Sequence, residues 1–407
     1  MKRFFGVAAV LFLAGAAAAC SSQDPVQGAT NGTAGAGNSG GSSGTGMNNP
    51  VSNAFVPTAE QTLAYMRYLG PALLGRVLTD VEEVEINAKA HGAVKPLLES
   101  WVSEAGFPEA IRGMMEIRLS TNGVRGTTDY NLAGYLIRHV VTNKMPWSTI
   151  LTSSTCYDAA DQAVPCDTGA PFTAGVLTTR GFLAGNESRF NLNRARSALL
   201  TFMCRDYPHE IELQPPIDRP RLKLMFRAAN AEEQMVAEVA GGFGNGLACF
   251  SCHSQFSNHA QPFVKFDGGG NYVASATGVQ APAPSQLGEA EGGHGLMASH
   301  LENPAESASE KAQWFGVEVD NLAGGAAVMA KHDKFRECAV QQLLDMGVGL
   351  DLGFPTGQNG LFVVPGFLTE IASSVSAKNP DPTIQELAVA AFSDVRVVAT
   401  TLNGLKR

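Results

Sequence analysis

The sequence is short of charge. Of its 407 residues, 16% are Asp, Glu, Lys or Arg, against about 25% in an average globular protein. Positive charge is the scarcer sign: 29 Lys and Arg stand against 38 Asp and Glu, and no basic stripe runs along the chain. That excludes a protein built to neutralise nucleic-acid phosphates. Past the N-terminus no apolar run reaches the roughly 18 residues of a membrane-spanning helix, which excludes a polytopic membrane protein. Seven cysteines are too few for a fold stapled mainly by disulfides. Strand alternation is scarce, with only Leu361 to Val364 reading as extended, and there is no internal repeat. No Ser-His-Asp set can be assigned from spacing.

What is present begins with an address. Lys2 and Arg3 precede the apolar stretch Phe4 to Ala19, which predicts a secretory signal peptide over residues 1–19. Ala17-Ala18-Ala19 before Cys20 resembles a bacterial lipobox, although Ala17 stands where leucine is usual. The expectation is cleavage before Cys20, lipidation of Cys20 and, with Ser21 next, an outer-membrane anchor. The alternative is an ordinary signal peptide with a cysteine nearby. Residues 21–50 hold eight Gly, five Ser and a single charge, Asp24. Such a segment cannot bury a core and reads as a flexible tether of about 30 Å root-mean-square span. Two catalytic-looking glycine patterns inside it, starting at Gly35 and Gly40, lack the flanking strand and helix that would give them meaning.

Beyond the tether (20–55) the pattern is mainly α. Thr58 to Gln61 and Thr79 to Glu82 form capping boxes. Leu63, Met66, Tyr68 and Leu69 suit the first helix, and Val81, Val84 and Ile86 the second. Further helices are predicted through Leu97 to Val102, Ile111 to Met115, Asn131 to Asn143, Leu192 to Cys204, Ala231 to Ala240, Val319 to Ala330, Asp333 to Leu344 and Thr383 to Phe392. The reading is a helical bundle-like body with long Gly/Pro-rich loops, notably 268–295 and 347–366. It divides into a helical N-terminal domain (56–200) and a helical domain (201–407) that includes a cytochrome c-like haem region.

That region rests on Cys249-Phe-Ser-Cys252-His253. From the Cys and His content, about 0.002 C-x-x-C-H matches are expected by chance. Two cysteines three apart on a helical turn can reach the two vinyl groups of a haem, and the adjacent histidine can take the iron as proximal ligand. The expectation is one covalently bound haem c, consistent with export. A redox disulfide would need a βαβ pattern before it, and a zinc site a second ligand pair after it. Cys156, Cys166, Cys204 and Cys338 remain, an even number suited to an oxidising compartment. Cys156 with Cys166 is the natural first pair. Cys204 with Cys338 follows by elimination, unless both are buried free thiols.

Opposite the iron, the candidates are His259, His294, Met297, His300, Met329 and His332, with Met297 first and Met329 and His300 next. Arg194 and Arg196 are either partners for haem propionates or ordinary helix-surface charge, and the second reading is preferred. Asp80, Glu82, Glu83 and Glu85 read as solvated acids matched to a helix dipole.

Several stretches in order carry a resemblance over roughly residues 60–350. They are LGPALLGRVLTDVE (69–82), VVTNKMPWSTILT (140–152), AGVLTTRGFL (174–183), Asn193-Arg194-Ala195-Arg196, CFSCH, Phe266-Asp267 with Gly270 and Tyr272, and the Cys338 helix. Together the chain resembles the planctomycete and myxobacterial exported cytochrome c-like proteins that carry a single C-x-x-C-H. Where that family usually shows Asp-Pro after the motif, this chain has Asn258-His259-Ala260. The resemblance implies an exported haem protein and supplies no reaction. The expected role is electron transfer with a periplasmic or surface redox partner, and membrane association through the lipid. The alternatives are a peroxidase- or oxidase-type haem enzyme with an open distal site, and a non-redox surface binding or scaffold protein.

Overall fold

The structure, a computed structural model, describes residues 55–126, 128–187, 191–207, 214–222, 247–278, 297–349 and 366–405. Contact density separates Met1–Pro50 from Val51–Arg407, and every described residue belongs to the second unit. The predicted signal peptide, Cys20, most of the predicted tether, the predicted Ala231 to Ala240 helix, His294 and Leu361 to Val364 lie outside the described residues.

The described chain is mainly helical. Helix α1 (Ala59–Leu74) opens with the expected capping box, Thr58 and Gln61 each accepting the other's backbone N–H at 3.2 and 2.9 Å. It buries Tyr65, Met66, Leu69 and Leu73, carries Pro71 in its last turn, and stops at Gly75, whose φ of 68° suits a left-handed cap. Tyr68 faces outward, off the core stripe. Helix α2 (Asp80–Lys89) has its capping box too, but its buried residues are Glu82 and Ile86. Val81 and Val84, expected in the core, are 77% and 68% exposed. A buried carboxylate has taken the inward position, because Arg76 and Trp101 are there to satisfy it.

Helices α3 (Val94–Trp101), α4 (Gly106–Leu119), α5 (Leu132–Thr142), α6 (Thr149–Thr152), α7 (Arg180–Gly185) and α8 (Leu192–Met203) follow. Beyond them come α9 (Leu247–Ala260), α10 (Pro304–Ser307), α11 (Leu322–Lys331) and α12 (Asp333–Val348). The last three are α13 (Gly366–Ser376), α14 (Ile384–Ser393) and α15 (Val395–Leu405). The centre is α12, which packs on α1, α8, α13 and α14 and buries Phe335, Cys338, Val340, Leu343 and Leu344. Helix α14 also lies on α3. One apolar cluster therefore runs from Tyr65 to Leu402, and residue 200 falls inside α8.

Three short antiparallel hairpins join the helices: Val124–Arg125 with Thr128–Asp129, Cys156–Tyr157 with Ala163–Val164, and Ala312–Trp314 with Val317–Val319. The start of the predicted helix at Val319 belongs to this last strand. Both predicted disulfides are present, Cys156–Cys166 and Cys204–Cys338, each with Cα atoms 5.1 Å apart. The first closes the second hairpin, and the second ties the end of α8 to the central helix.

Candidate haem-attachment site

Cys249, Cys252 and His253 lie in the first half of α9. On a helix, positions 249, 252, 253, 256, 257 and 260 form one stripe, because residues three and four apart share a face. The side chains of 249, 252 and 253 lie outside the described residues, and those of the stripe's continuation do not. Phe256, Ser257 and Ala260 are buried. The Phe256 ring meets Tyr207 and His300 edge-on, both at 5.5 Å between centroids. Ser257 Oγ and His300 Nδ1 share a hydrogen bond of 2.8 Å.

The rest of the helix is held as firmly. His259 is fully buried; its Nδ1 shares a 2.8 Å hydrogen bond with the Tyr207 hydroxyl, and its ring lies 5.2 Å from Trp314 and 5.1 Å from Phe315. Trp314 Nε1 donates to the Asn258 carbonyl at 3.2 Å. Gln255 Nε2 donates to the Gln214 carbonyl, and the Ile217 N–H to that of Ser254. The hairpin that delivers Trp314 turns through Phe315 and Gly316, with φ of 51° and 77°, the signs a two-residue turn between twisted strands requires.

The candidate iron ligands now separate. His259 stands six residues after His253 on one continuous helix, about 9 Å further along the axis and on a different face. Both cannot reach one iron. Met329 is fully buried within the apolar core. His332 caps α12, its Nδ1 accepting the Lys334 N–H at 3.1 Å, and burial pushes its pKa down. Met297 is half-buried in the turn three residues before His300. His300 is 3% exposed and touches the stripe itself.

Two charged groups do something other than expected. Arg194 is fully buried, neither a surface charge nor a solvent-facing propionate partner. Its guanidinium donates to the carbonyls of Leu183, Phe266 and Asp267 and to Asn191 Oδ1. Burial brings its pKa down to about 10, still charged at neutral pH. It clamps the Phe266-to-Tyr272 turn, where Gly270 (φ 75°) passes so close to Arg180 that a Cβ would meet backbone at 3.0 Å. Arg196 does pair at the surface, with Asp206. Glu82 is the second case: burial pushes its pKa up, but hydrogen bonds from Arg76, the Thr79 amide and Trp101 win and hold it near 2.

The sequence reading missed Tyr207, Ser257 and Trp314. Ser257 was accessible to it, because counting one turn on from His253 reaches that position. Tyr207 and Trp314 arrive through tertiary packing. A cleft of about 540 Å³ opens beside the end of α9, among Asp218, Arg221, Asn258, Gln261, Lys311 and Glu318. Its lining mixes charged and apolar side chains, Ile217, Leu301 and Ala312 among the latter.

The residues present fit a covalently held haem: thiol, thiol and imidazole at helical spacing, a stripe continued by apolar and small side chains, and a helix end fixed by buried contacts. Four of the other five cysteines are committed to disulfides. Among the described residues no group of three or more His, Cys, Asp or Glu gathers that could hold a metal ion, and none of their helices is long and apolar enough to cross a membrane. No family model, curated protein or solved structure was found to match the chain.

Proposed function

We propose that this chain is an exported, lipid-anchored monohaem c-type cytochrome acting in electron transfer outside the cytoplasm. The observation that carries the reading is C-x-x-C-H placed on a helix, with Cys156, Cys166, Cys204 and Cys338 already paired. Cys249 and Cys252 would form the thioether links and His253 would be the proximal ligand. A bound haem supplies a one-electron iron couple. The protein's part is to fix the attachment helix and exclude water from it, which the buried contacts of Ser254 to Ala260 support. Disulfides belong to an oxidising compartment, in keeping with the predicted leader and lipidated Cys20. The planctomycete and myxobacterial resemblance belongs to this proposal and points the same way.

The electron-transfer role is tested with haem-matured protein, chemically reduced and mixed with an oxidised soluble c-type cytochrome in a stopped-flow instrument. Rapid reoxidation of the iron is expected. Haem that stays reduced toward such partners but reacts promptly with peroxide would replace this role with a peroxidase-type enzyme. Inertness toward both would leave a structural haem in a surface binding protein.

A further inference from the structure

We infer that His300 is the second axial ligand of the haem iron, with Ser257 setting its tautomer; the inference rests on the haem reading above. The first ground is position. His300 meets Phe256 and Ser257, three and four residues after His253, so it reaches the face of α9 that carries His253, one turn further along. The second is its chemistry. Nδ1 is engaged by the Ser257 hydroxyl, which makes Nε2 the coordinating atom. An Nδ1–H donated to an oxygen is the arrangement that orients ligating histidines and keeps Nε2 deprotonated.

The third ground is preorganisation. His300 belongs to a loop, yet the loop is held on both sides of it. The Ser299 N–H donates to the Gly278 carbonyl at 2.7 Å, and Ser299 Oγ donates to Gln261 Oε1 at 2.6 Å, just beyond the end of α9. Leu301 forms a backbone bridge with Leu222. A loop histidine at 3% exposure, fixed this closely against the attachment helix, is built to place an imidazole. Among the rivals, Met329 and His332 already serve as core and cap, and His259 faces elsewhere. Met297, the first choice from sequence, gives way to the residue three places on.

The test is the ferric absorption and electron paramagnetic resonance spectra of haem-matured protein and four variants. The unaltered protein should be low-spin. His300→Ala should turn high-spin and return to low-spin when imidazole is added. His300→Met, which keeps the bulk if the alanine variant does not fold, should stay low-spin with a raised midpoint potential. Ser257→Ala should bind added cyanide on the order of 10- to 100-fold more tightly, since its native ligand is less well oriented. Met297→Ala should leave the spectrum unchanged. A His300→Ala protein that stays low-spin, a His300→Met protein with unchanged potential, or a Met297→Ala protein that turns high-spin overturns the assignment. Absence of covalent haem from the unaltered protein is a different result: it removes the underlying reading and the ligand with it.

Discussion

Glu82 stands in the first turn of a helix yet exposes only 9% of its surface. Its carboxylate accepts hydrogen bonds from Arg76 at 2.8 and 2.9 Å, the Thr79 amide at 2.7 Å and Trp101 Nε1 at 2.6 Å. A carboxyl whose folded pKa is held near 2, against an ordinary 4.5, adds stability above its unfolded pKa and loses it as pH falls toward 2. Glu82→Gln should therefore cost about 2 kcal/mol at pH 7, and the penalty should shrink in urea unfolding repeated near pH 2. A penalty that does not change with pH would mean that shape, not charge, is what Glu82 supplies. Arg194 makes the matching case for a buried cation. Arg194→Lys keeps the charge but cannot reach four acceptors in three segments, so a loss of about 3 kcal/mol is expected, read as a lowered urea midpoint. Both residues look like surface charge in a list of side chains. What buries them is the presence of partners distant in sequence, Trp101 for one and Phe266 and Asp267 for the other, and periodicity carries no sign of that.

At the scale of elements, the disulfides make unequal contributions. Closing ten residues, Cys156–Cys166 should contribute about 2.5–3 kcal/mol in the chain-entropy model, and Cys204–Cys338, with a separation of 134, about 5. Replacing Cys204 and Cys338 together by serine should thus lower the melting temperature more than replacing Cys156 and Cys166; the reverse order would show that strain or residual structure dominates. Helix α11 gives a sharper geometric test. A Cβ on Gly325 would meet the Trp314 indole at 2.7 Å. Gly325→Ala should push Trp314 off the Asn258 carbonyl, cost about 1–3 kcal/mol, and red-shift the Trp fluorescence. Most of these helices were legible in advance. Capping boxes at Thr58 and Thr79, and stripes through Leu97 to Val102 and Ile111 to Met115, read directly as local chemistry, whereas the box at Thr383 shows only in the structure. The hairpins were not, since two- or three-residue strands are too short to alternate visibly. Helices α13 and α15 escaped too, the first following a Gly/Pro-rich stretch that read as loop apart from an extended Leu361 to Val364. Of the candidate site, Cys249, Cys252 and His253 were readable because their spacing is chemical. The covering residues Tyr207 and Trp314 were not, because they are brought in by tertiary packing.

For the whole molecule, the unequal use of charge becomes understandable. A body whose main apolar cluster runs from Tyr65 to Leu402, beside a small one of Ile217, Leu222 and Leu301, needs few ion pairs to hold it, and buried charges such as Glu82 and Arg194 serve as clamps between segments. A chain of 407 residues is far larger than one haem requires. Helices α1 to α5 and α12 to α15 share that core with Ala260, at the end of α9, and with Phe263, Phe266 and Trp314, so the helix that carries C-x-x-C-H packs onto the main body. All of this depends on one bond type. The most direct measurement is a haem stain of the protein, produced with c-type maturation in the periplasm and run on a denaturing gel, beside Cys249→Ala and Cys252→Ala. The account predicts haem that stays with the denatured chain, weakened by either single change and abolished by both. A stain lost on denaturation from the unaltered protein, or never acquired, would contradict it.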